Sequence, residues 1–332
     1  MPADSPFFSV SDLDIDVVAS TDAIVGAIRS QVTRVLGRRG VVVGLSGGVD
    51  SSVTAALLVR ALGPRRVFGL MMPEAESSDD SLALGHLVAQ HLGIESAVEE
   101  ITAALEAVGC YRRRDESIKK VVPDYGPGYK CKIVLPDLLA EQTGTFRLFS
   151  VVVRAPDGSE SRTRLTPEAY FGVVAATNFK HRVRKMMEYH HADRLNYAVA
   201  GTPNRLEYDQ GFFVKAGDGA ADLKPIAHLY KSQVYQLGRY LEVPDEILKR
   251  SPTTDTYSLP QSQDEFYFSL PYDKMDLCLL GKNRGLTATE VAEAINLTPE
   301  QVERVFGHID AKRNATRYQH APSLLVEAVP EI

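Results

Sequence analysis

The sequence contains little cysteine, with only Cys110, Cys131 and Cys278 in a chain of 332 residues. No two of them are closely spaced, which argues against a disulfide framework and against a zinc site. We therefore expect free thiols, buried or half-buried, in a protein of a reducing cytoplasm.

Long apolar runs and an excess of positive charge are also absent. No stretch approaches the roughly 18 uninterrupted apolar residues of a membrane span, and the first residues lack the basic and apolar regions of a signal peptide. Lysine and arginine number 37 against 43 acidic residues, which gives a net charge of −6. A general affinity for nucleic acid is therefore not expected. These absences predict a cytoplasmic protein without nucleic-acid or membrane partners.

Short apolar runs rich in β-branched residues alternate with helical patterns along much of the chain. Residues 40–45, 66–72 and 194–201 are typical of buried parallel strands. The first helix is expected to begin at Ser20 or Thr21, either of which could cap it. The alternation predicts an α/β fold with a doubly wound, mostly parallel sheet.

Three parts are predicted along the chain. They are a loose leader at residues 1–20, an α/β domain at residues 21–285 and a helical C-terminal segment of the same domain at residues 286–332. The α/β domain carries an insertion at residues 146–165, where Pro-Asp-Gly between two alternating runs predicts a β-hairpin.

A loop rich in glycine and serine directly follows the first predicted strand and precedes a helix: Ser46-Gly47-Gly48-Val49-Asp50-Ser51-Ser52. Glycines let the backbone approach phosphate oxygens, and amides at a helix N-terminus point at an anion. Asp50 would repel a phosphate unless a metal lies between them, and Mg²⁺ is the natural bridge. The loop therefore predicts a Mg²⁺–pyrophosphate site, with a ligand-free strand–helix turn as the alternative.

This loop resembles the pyrophosphate loop of the N-type ATP pyrophosphatases. The resemblance implies an adenine nucleotide alpha hydrolase-like, Rossmann-like fold. It also implies cleavage of ATP to AMP and pyrophosphate through an adenylated intermediate.

A second pair of segments narrows the resemblance to the NAD synthetase family. Residues 200–207 and 211–222 resemble the family's Gly-Thr-x-x-x-x-Glu and Gly-[FY]-Phe-Thr-Lys-x-Gly-Asp-Gly-x-x-Asp stretches. The resemblance covers roughly residues 20–110 and 175–315. It implies amidation of nicotinic acid adenine dinucleotide with ammonia, through an acyl-adenylate, by a homodimer. No glutaminase domain fits within the chain, so ammonia would be free or supplied by a separate glutaminase partner.

The resemblance also implies roles for individual residues. ATP contacts are implied at Ser46, Gly47, Gly48, Asp50, Ser51, Ser52, Thr202, Lys231 and Thr253. Asp50 and Glu207 would bind Mg²⁺, and Asp50 and Lys231 would be the catalytic pair. Contacts to the second substrate are implied at Arg182, Lys215, Asp222 and Lys312. Arg182 lies in a basic run, which also includes Lys180, Arg184 and Lys185 and which we otherwise expect to be a solvated helix face.

Two alternatives stay open. Ala311-Lys312 replaces the family's His-Lys, and Thr177 replaces a glycine, so a different carboxylic acid in a specialised pathway is the enzyme alternative. Residues 286–302 resemble a helix-turn-helix, the mark of a DNA-binding protein. Acidic residues on the second helix oppose contact with phosphates, so we expect helical packing or a dimer contact there.

Overall fold

The computed structural model describes residues 8–134, 149–250, 257–261, 267–268 and 270–330. The strands are β1 (Val41–Gly44), β2 (Val67–Met71), β3 (Glu95–Val98), β4 (Lys130–Val134), β5 (Ser150–Arg154), β6 (Glu160–Arg164) and β7 (Ala198–Ala200). The α-helices are α1 (Val17–Ser30), α2 (Val49–Leu62), α3 (Asp79–Leu92), α4 (Thr102–Ala107), α5 (Cys110–Lys119), α6 (Pro167–Leu195), α7 (Arg205–Gln210), α8 (Lys231–Tyr240), α9 (Asp245–Leu248), α10 (Tyr272–Asn283), α11 (Ala288–Ile295) and α12 (Pro299–His320). Within the described ranges, none of the helices combines the length and the apolar character that crossing a membrane requires.

Within the described part of the chain, four parallel strands form the central sheet in the order β3-β2-β1-β7. Val41 and Val43 of β1 pack with α1, α2 and α8 on one face, whereas Val42 packs with Ala192 of α6 on the other. Successive side chains of a strand point to opposite faces, so β1 is covered on both sides. Helices on both faces confirm the predicted doubly wound α/β fold.

The N-terminal segment is more ordered than predicted. Helix α1 begins at Val17 rather than at Ser20 or Thr21, because the Asp16 side chain accepts hydrogen bonds from the first free backbone N–H groups. Leu13 is buried in an apolar cluster with the C-terminal helices. The expectation of a loose leader at residues 1–20 is therefore wrong for the described residues 8–20.

The predicted hairpin is confirmed within residues 149–165, where β5 and β6 pair antiparallel. Residues 146–148 of that prediction lie outside the described residues. The insertion is larger than predicted, because β4 adds a third antiparallel strand beside β5. Val151 and Val153 of β5 pack with Ile118 of α5 and Val173 of α6. We call β4, β5 and β6 the inserted sheet.

Helix α6 connects the two sheets. Its N-cap Thr166 accepts a hydrogen bond from the Ala169 backbone, and it ends at Asn196 in the left-handed conformation. Its 29 residues span about 43 Å. Val173, near its start, packs on the inserted sheet, and Ala192, near its end, packs on the central sheet. One rigid element therefore sets the distance between the sheets.

Helices α10, α11 and α12 share an apolar cluster with Leu206 of α7. Val291 of α11 and Val302 and Ile309 of α12 are buried in it. The apolar faces of the two helices proposed as a helix-turn-helix are thus used in packing, and a DNA-binding function is not favoured. The assignment of residues 286–332 to the same domain as residues 21–285 stays a prediction.

The three cysteines are buried free thiols, as predicted. Burial raises the pKa of the Cys110 thiol to about 11 and that of the Cys278 thiol to about 12. Because the thiolate is the reactive form, neither residue is suited to nucleophilic chemistry.

Candidate active site

A cavity of about 770 Å³ opens at the carboxyl ends of the central strands. Its walls include Leu45 after β1, Met72 after β2 and Gly201 after β7. Open parallel sheets bind their ligands at this edge. The cavity is therefore the candidate active site.

The loop predicted to bind phosphate lies on the cavity wall. Helix α2 begins directly after Gly48, so Asp50, Ser51 and Ser52 occupy its first turn. Ser46, Gly48, Asp50 and Ser51 line the cavity, where the helix N-terminus favours an anion. Ser52 supports the loop from inside, since its hydroxyl donates to the Gly48 carbonyl at 2.8 Å.

Gly47 determines the shape of this loop. Its φ of +73° lies in the left-handed region, which disfavours any residue with a Cβ. A Cβ at this position would lie 2.7 Å from Cβ of Leu84 and 3.0 Å from the carbonyl oxygen of Ser81. Helix α3 therefore packs directly on the loop, and only glycine fits between them.

A Gly47→Ala variant is expected to bind ATP about 10- to 100-fold more weakly, because the loop must move away from α3 and misplace its donors. It should also lose about 1–2 kcal/mol of stability from the left-handed backbone. Gly93→Ala is the matched control, because Gly93 has a φ of +62° but open space around its missing Cβ. That control should lose stability while keeping its affinity for ATP. Unchanged ATP binding by Gly47→Ala, measured by calorimetry, would contradict the packing argument.

Asp50, Glu207 and Lys231 form a charged cluster beside the loop. Nζ of Lys231 lies 2.5 Å from Oδ2 of Asp50. Asn204, the N-cap of α7, joins the two acids, because its side-chain amide donates to Asp50 Oδ1 at 3.2 Å and its backbone N–H donates to Glu207 Oε2 at 3.1 Å. Residues brought from three helices thus meet at one edge of the cavity.

The cluster carries one cation against two carboxyl groups. Burial raises the pKa of Glu207 to about 8, and the negative charge of Asp50 adds to the rise while Lys231 opposes it. Burial alone would lower the pKa of the Lys231 ammonium, but the charges of Asp50 and Glu207 outweigh it and raise that pKa. Ionised Glu207 therefore leaves an excess negative charge, which favours a bound cation.

The donor set of this cluster suits Mg²⁺. In proteins this ion is held by one or two carboxylates, several waters and the phosphates of a substrate. Asp50 and Glu207 both line the cavity beside the phosphate loop. Among the described residues there is no group of three or more acidic, histidine or cysteine side chains suited to a metal. Two carboxylates with substrate phosphates are thus the arrangement that fits.

Most of the other predicted contact residues also reach the cavity. Thr202, Arg182, Lys215 and Lys312 line its walls. Thr253, predicted to contact ATP, lies outside the described residues. The roles of these residues stay predictions, although the fold brings four of them to one cavity.

Asp222 occupies a different position. Its carboxylate accepts a hydrogen bond from the Val199 backbone N–H at 2.7 Å and another from the Tyr189 hydroxyl at 3.3 Å. These bonds fix the segment after β7 to that strand and to α6, and Asp222 is not among the residues of the cavity wall. The predicted contact of Asp222 with the second substrate has no support in this geometry.

Lys312 on α12 is nearly buried at the cavity wall. Its Nζ contacts the carbonyl oxygen of Tyr267 and lies 4.0 Å from the centre of the Tyr267 ring and 5.2 Å from that of Phe268. Burial lowers the pKa of Lys312 to about 7. The folded protein therefore binds fewer protons here than the unfolded chain between about pH 7 and the ordinary lysine pKa of 10.5.

We expect the difference in the free energy of unfolding between a Lys312→Met variant and the wild type to depend on pH. It should favour the variant more at pH 7 than at pH 9.5. In the wild type, the depressed pKa makes the lysine contribution to stability rise with pH through this window, and methionine removes that dependence. Urea titrations of both proteins at the two pH values measure the difference. A pH-independent difference between them would contradict a buried, easily deprotonated lysine.

One face of α6 lines the cavity, although Arg182 was the only residue of this helix predicted to contact a substrate. The lining residues recur every three or four positions, namely Tyr170, Val174, Thr177, His181, Lys185 and Glu188. This spacing places side chains on one side of a helix. The spacing is present in the sequence, but these residues are of mixed polarity and do not form an apolar stripe that would indicate a common face.

The expectation of a solvated basic face on α6 is wrong for Lys180 and Lys185. Lys180 is fully buried, with Nζ 2.8 Å from Glu74 Oε1 and 2.7 Å from Glu76 Oε2. Lys185 is buried with Nζ 2.5 Å from Glu188 Oε2. The acids that pair with Lys180 follow β2, far away in the sequence. This network fixes the segment after β2 to α6, and both elements contribute to the cavity wall.

The family model for NAD synthase matches residues 20–122 and 157–319 of the chain. The unmatched residues 123–156 contain β4 and β5. Most of the inserted sheet therefore lies outside the pattern that the family shares.

The chain is similar to proteins named NH3-dependent NAD(+) synthetase. It is 59% identical over 325 residues to one from Rhizobium meliloti, covering 98% of this chain and 96% of the relative. It is 37% identical over 269 residues to one from Thermotoga maritima, covering 80% and 86%.

Solved structures share the fold. An NMN synthetase from Francisella tularensis has a TM-score of 0.64 at 23% identity, covering 94% of this chain and 99% of that one. An NH3-dependent NAD synthetase from Campylobacter jejuni has a TM-score of 0.61 at 22% identity, covering 94% and 100%. At these identities the likeness shows the fold and carries no argument about substrate.

Proposed function

The chain belongs to the NAD synthase family, and we propose from this premise that it converts nicotinic acid adenine dinucleotide to NAD with ATP and ammonia. The reaction makes it a ligase that forms a C–N bond, with ATP as co-substrate. The observation that carries the proposal is the cluster of Asp50, Glu207 and Lys231 beside the phosphate loop. The two carboxylates of the cluster can bind a cation, and Lys231 can stabilise a developing negative charge at the same edge of the cavity.

The chemistry requires activation of the carboxylate, because its oxygen is a poor leaving group. A carboxylate oxygen attacks the α-phosphorus of ATP, and the bond from that phosphorus to the bridging oxygen breaks to release pyrophosphate. Ammonia then attacks the acyl carbon of the adenylate. AMP leaves with the former carboxylate oxygen, and the nitrogen loses a proton to give the amide.

Positioning and charge neutralisation do most of this work. We assign pyrophosphate binding to Ser46, Gly48, Ser51 and the amides at the start of α2, in a loop whose shape Gly47 sets and Ser52 supports. Lys231 contacts the loop carboxylate Asp50 and would offset the charge that grows on the phosphates. Thr202 and Thr253 are the further ATP contacts of this proposal.

Mg²⁺ belongs to the same proposal, with Asp50 and Glu207 as its protein ligands. When bound, the ion neutralises phosphate charge and polarises the α-phosphoryl group. Its affinity should depend on ionised Glu207, because protonation removes the ligand.

The second substrate would lie against α6 and α12. Arg182 and Lys215 are cations of the cavity wall, and Lys312 becomes one when protonated. A phosphate-linked dinucleotide with a carboxylate requires such partners. A different carboxylic acid is not favoured, because relatives named for NAD synthesis match nearly the full length of the chain.

Assembly and ammonia supply are further parts of the proposal. We infer a cytoplasmic homodimer that uses free ammonia or ammonia from a separate glutaminase. A candidate contact in such an interface is Met186 on α6, a large apolar residue that is 59% exposed. Light scattering at the mass of two chains supports the dimer, and NAD formation by pure protein with glutamine alone contradicts the ammonia source.

Incubation with ATP, Mg²⁺, ammonium and nicotinic acid adenine dinucleotide tests the function. AMP, pyrophosphate and NAD are expected in equal amounts, with none formed when the dinucleotide is omitted. The proposal fails if no AMP appears with this dinucleotide while another carboxylic acid releases it.

A further inference from the structure

The inserted sheet contributes an aromatic residue to the candidate active site. Phe149 lies directly before β5, in the stretch that the family model does not match. Its ring stacks on Tyr170 of α6 with the ring centres 4.3 Å apart and the planes at 14°. Phe171 follows at 5.5 Å from Tyr170 with a tilt of 58°. All three rings line the cavity, and we call them the aromatic wall.

Backbone hydrogen bonds fix the aromatic wall both in the inserted sheet and in α6. The Phe149 carbonyl accepts a backbone hydrogen bond from Leu165, which fixes it to the end of β6. Tyr170 lies in the first turn of α6, where its backbone N–H donates to the N-cap Thr166. Phe149 and Tyr170 are both half-buried, so part of each ring remains accessible from the cavity. Rigid aromatic faces of this kind bind flat rings with little loss of conformational entropy.

The position of the aromatic wall separates it from the phosphate loop. Glu188 of α6 lies beside Gly44, the last residue before the segment that leads to the loop. Tyr170 precedes Glu188 by eighteen positions on the same helix, which is about 27 Å at the rise of an α-helix. That distance exceeds the length of an extended ATP molecule. A ligand on the wall is therefore not the ATP whose phosphates occupy the loop.

We propose that the aromatic wall binds a flat heteroaromatic ring of the second substrate by stacking, and that Phe149 makes the inserted sheet a specificity-determining part of the active site. The inference rests on the proposed function, and the ring is the adenine of the dinucleotide, because the pyridine carries the carboxylate that must reach the α-phosphorus of ATP near the loop. The polar residues Thr177, Asn178 and Arg182 lie between the wall and the loop along α6. They suit the ribose and phosphate groups that would connect a stacked ring to the reacting end.

A Phe149→Leu variant tests the inference. Loss of one aromatic partner is expected to raise KM and Kd for nicotinic acid adenine dinucleotide about tenfold, because stacking on an aromatic side chain is lost. The KM values for ATP and ammonium should stay unchanged, and Phe149→Tyr should restore wild-type values. An unchanged dinucleotide Kd, or an equal rise in the KM for ATP, overturns the inference.

Tyr129→Leu is the matched control. Tyr129 packs in the same apolar cluster as the inserted sheet but is not among the residues of the cavity wall. A folding defect of the insertion would affect both variants, whereas loss of stacking affects only Phe149→Leu. An equal rise of the dinucleotide Kd in both variants therefore contradicts a stacking role.

The two rings of the dinucleotide are distinguished with nicotinic acid mononucleotide, which lacks adenine. A Phe149→Leu effect on the dinucleotide alone is expected, whereas an equal effect on the mononucleotide overturns the assignment of the wall to adenine. The Kd of the dinucleotide is measured by calorimetry without any reaction, so the inference can be tested independently of the proposed function. If the wild type forms no NAD, the proposed function is wrong. If Phe149→Leu binds the dinucleotide with the wild-type Kd, only the inference about the aromatic wall is wrong.

Discussion

An Asp50→Asn variant is expected to form AMP about 10²- to 10³-fold more slowly than the wild type, as when one preorganised electrostatic group is removed from an active site. Asparagine keeps the size of the side chain and one oxygen. It removes the charge that a cation between protein and pyrophosphate requires. Single-turnover release of AMP at saturating ATP and dinucleotide measures the effect.

The same variant should remain folded. Lys231 stays opposite Glu207, so the cluster changes from two acids and one cation to a balanced pair. Asp193→Asn is the control, because Asp193 is an exposed carboxylate on α6 outside the cavity wall. Wild-type AMP release by Asp50→Asn would remove Asp50 from the catalytic groups.

Replacing Lys231 with methionine is expected to abolish AMP formation and to destabilise the protein by about 3–5 kcal/mol. Lys231 is 2% exposed, and its loss leaves two neighbouring acids without their cation. Asp50→Asn in the same chain should restore most of the stability and none of the activity, because it removes one of the two acids. Urea unfolding of both single variants and the double variant measures the coupling.

The destabilisation by Lys231→Met should be greater at pH 8.5 than at pH 5.5. In the folded wild type the pKa of Glu207 is raised from 4.5 to about 8 although Lys231 opposes the rise. Removing Lys231 therefore raises this pKa further and increases the excess of protons that the folded state binds in that window. The contribution of Glu207 to the free energy of unfolding is fully present at low pH and decreases as the pH rises toward 8. Equal stabilities of the single and double variants at pH 8.5 would show that the acids are not coupled.

The sequence predicted the central architecture because its signals there are local. The valines of β1 form an unbroken apolar run, and the glycines of the phosphate loop follow it directly. Glu207 and Lys231 were identified by resemblance alone, since isolated charged residues are ordinarily solvated. Their approach to Asp50 depends on the crossing of three helices.

Other features depend on partners that no local pattern reveals. Lys180 is buried because Glu74 and Glu76, in the segment after β2, pair with its ammonium group. Strand β4 was missed because its pairing with β5 crosses a long stretch of chain. Asp222 matches the family motif in sequence. Its carboxylate nevertheless accepts hydrogen bonds from Val199 of β7 and Tyr189 of α6 and does not line the cavity.

Isotope transfer tests the central claim, that the loop and the Asp50–Lys231 cluster support adenylation of a carboxylate. The substrate is nicotinic acid adenine dinucleotide with ¹⁸O in its carboxylate, incubated with ATP, Mg²⁺ and ammonium. One ¹⁸O atom is expected in each AMP, because the attacking carboxylate oxygen stays on the α-phosphorus when ammonia displaces AMP. Label in inorganic phosphate, with ADP in place of AMP, would contradict the claim of adenylation.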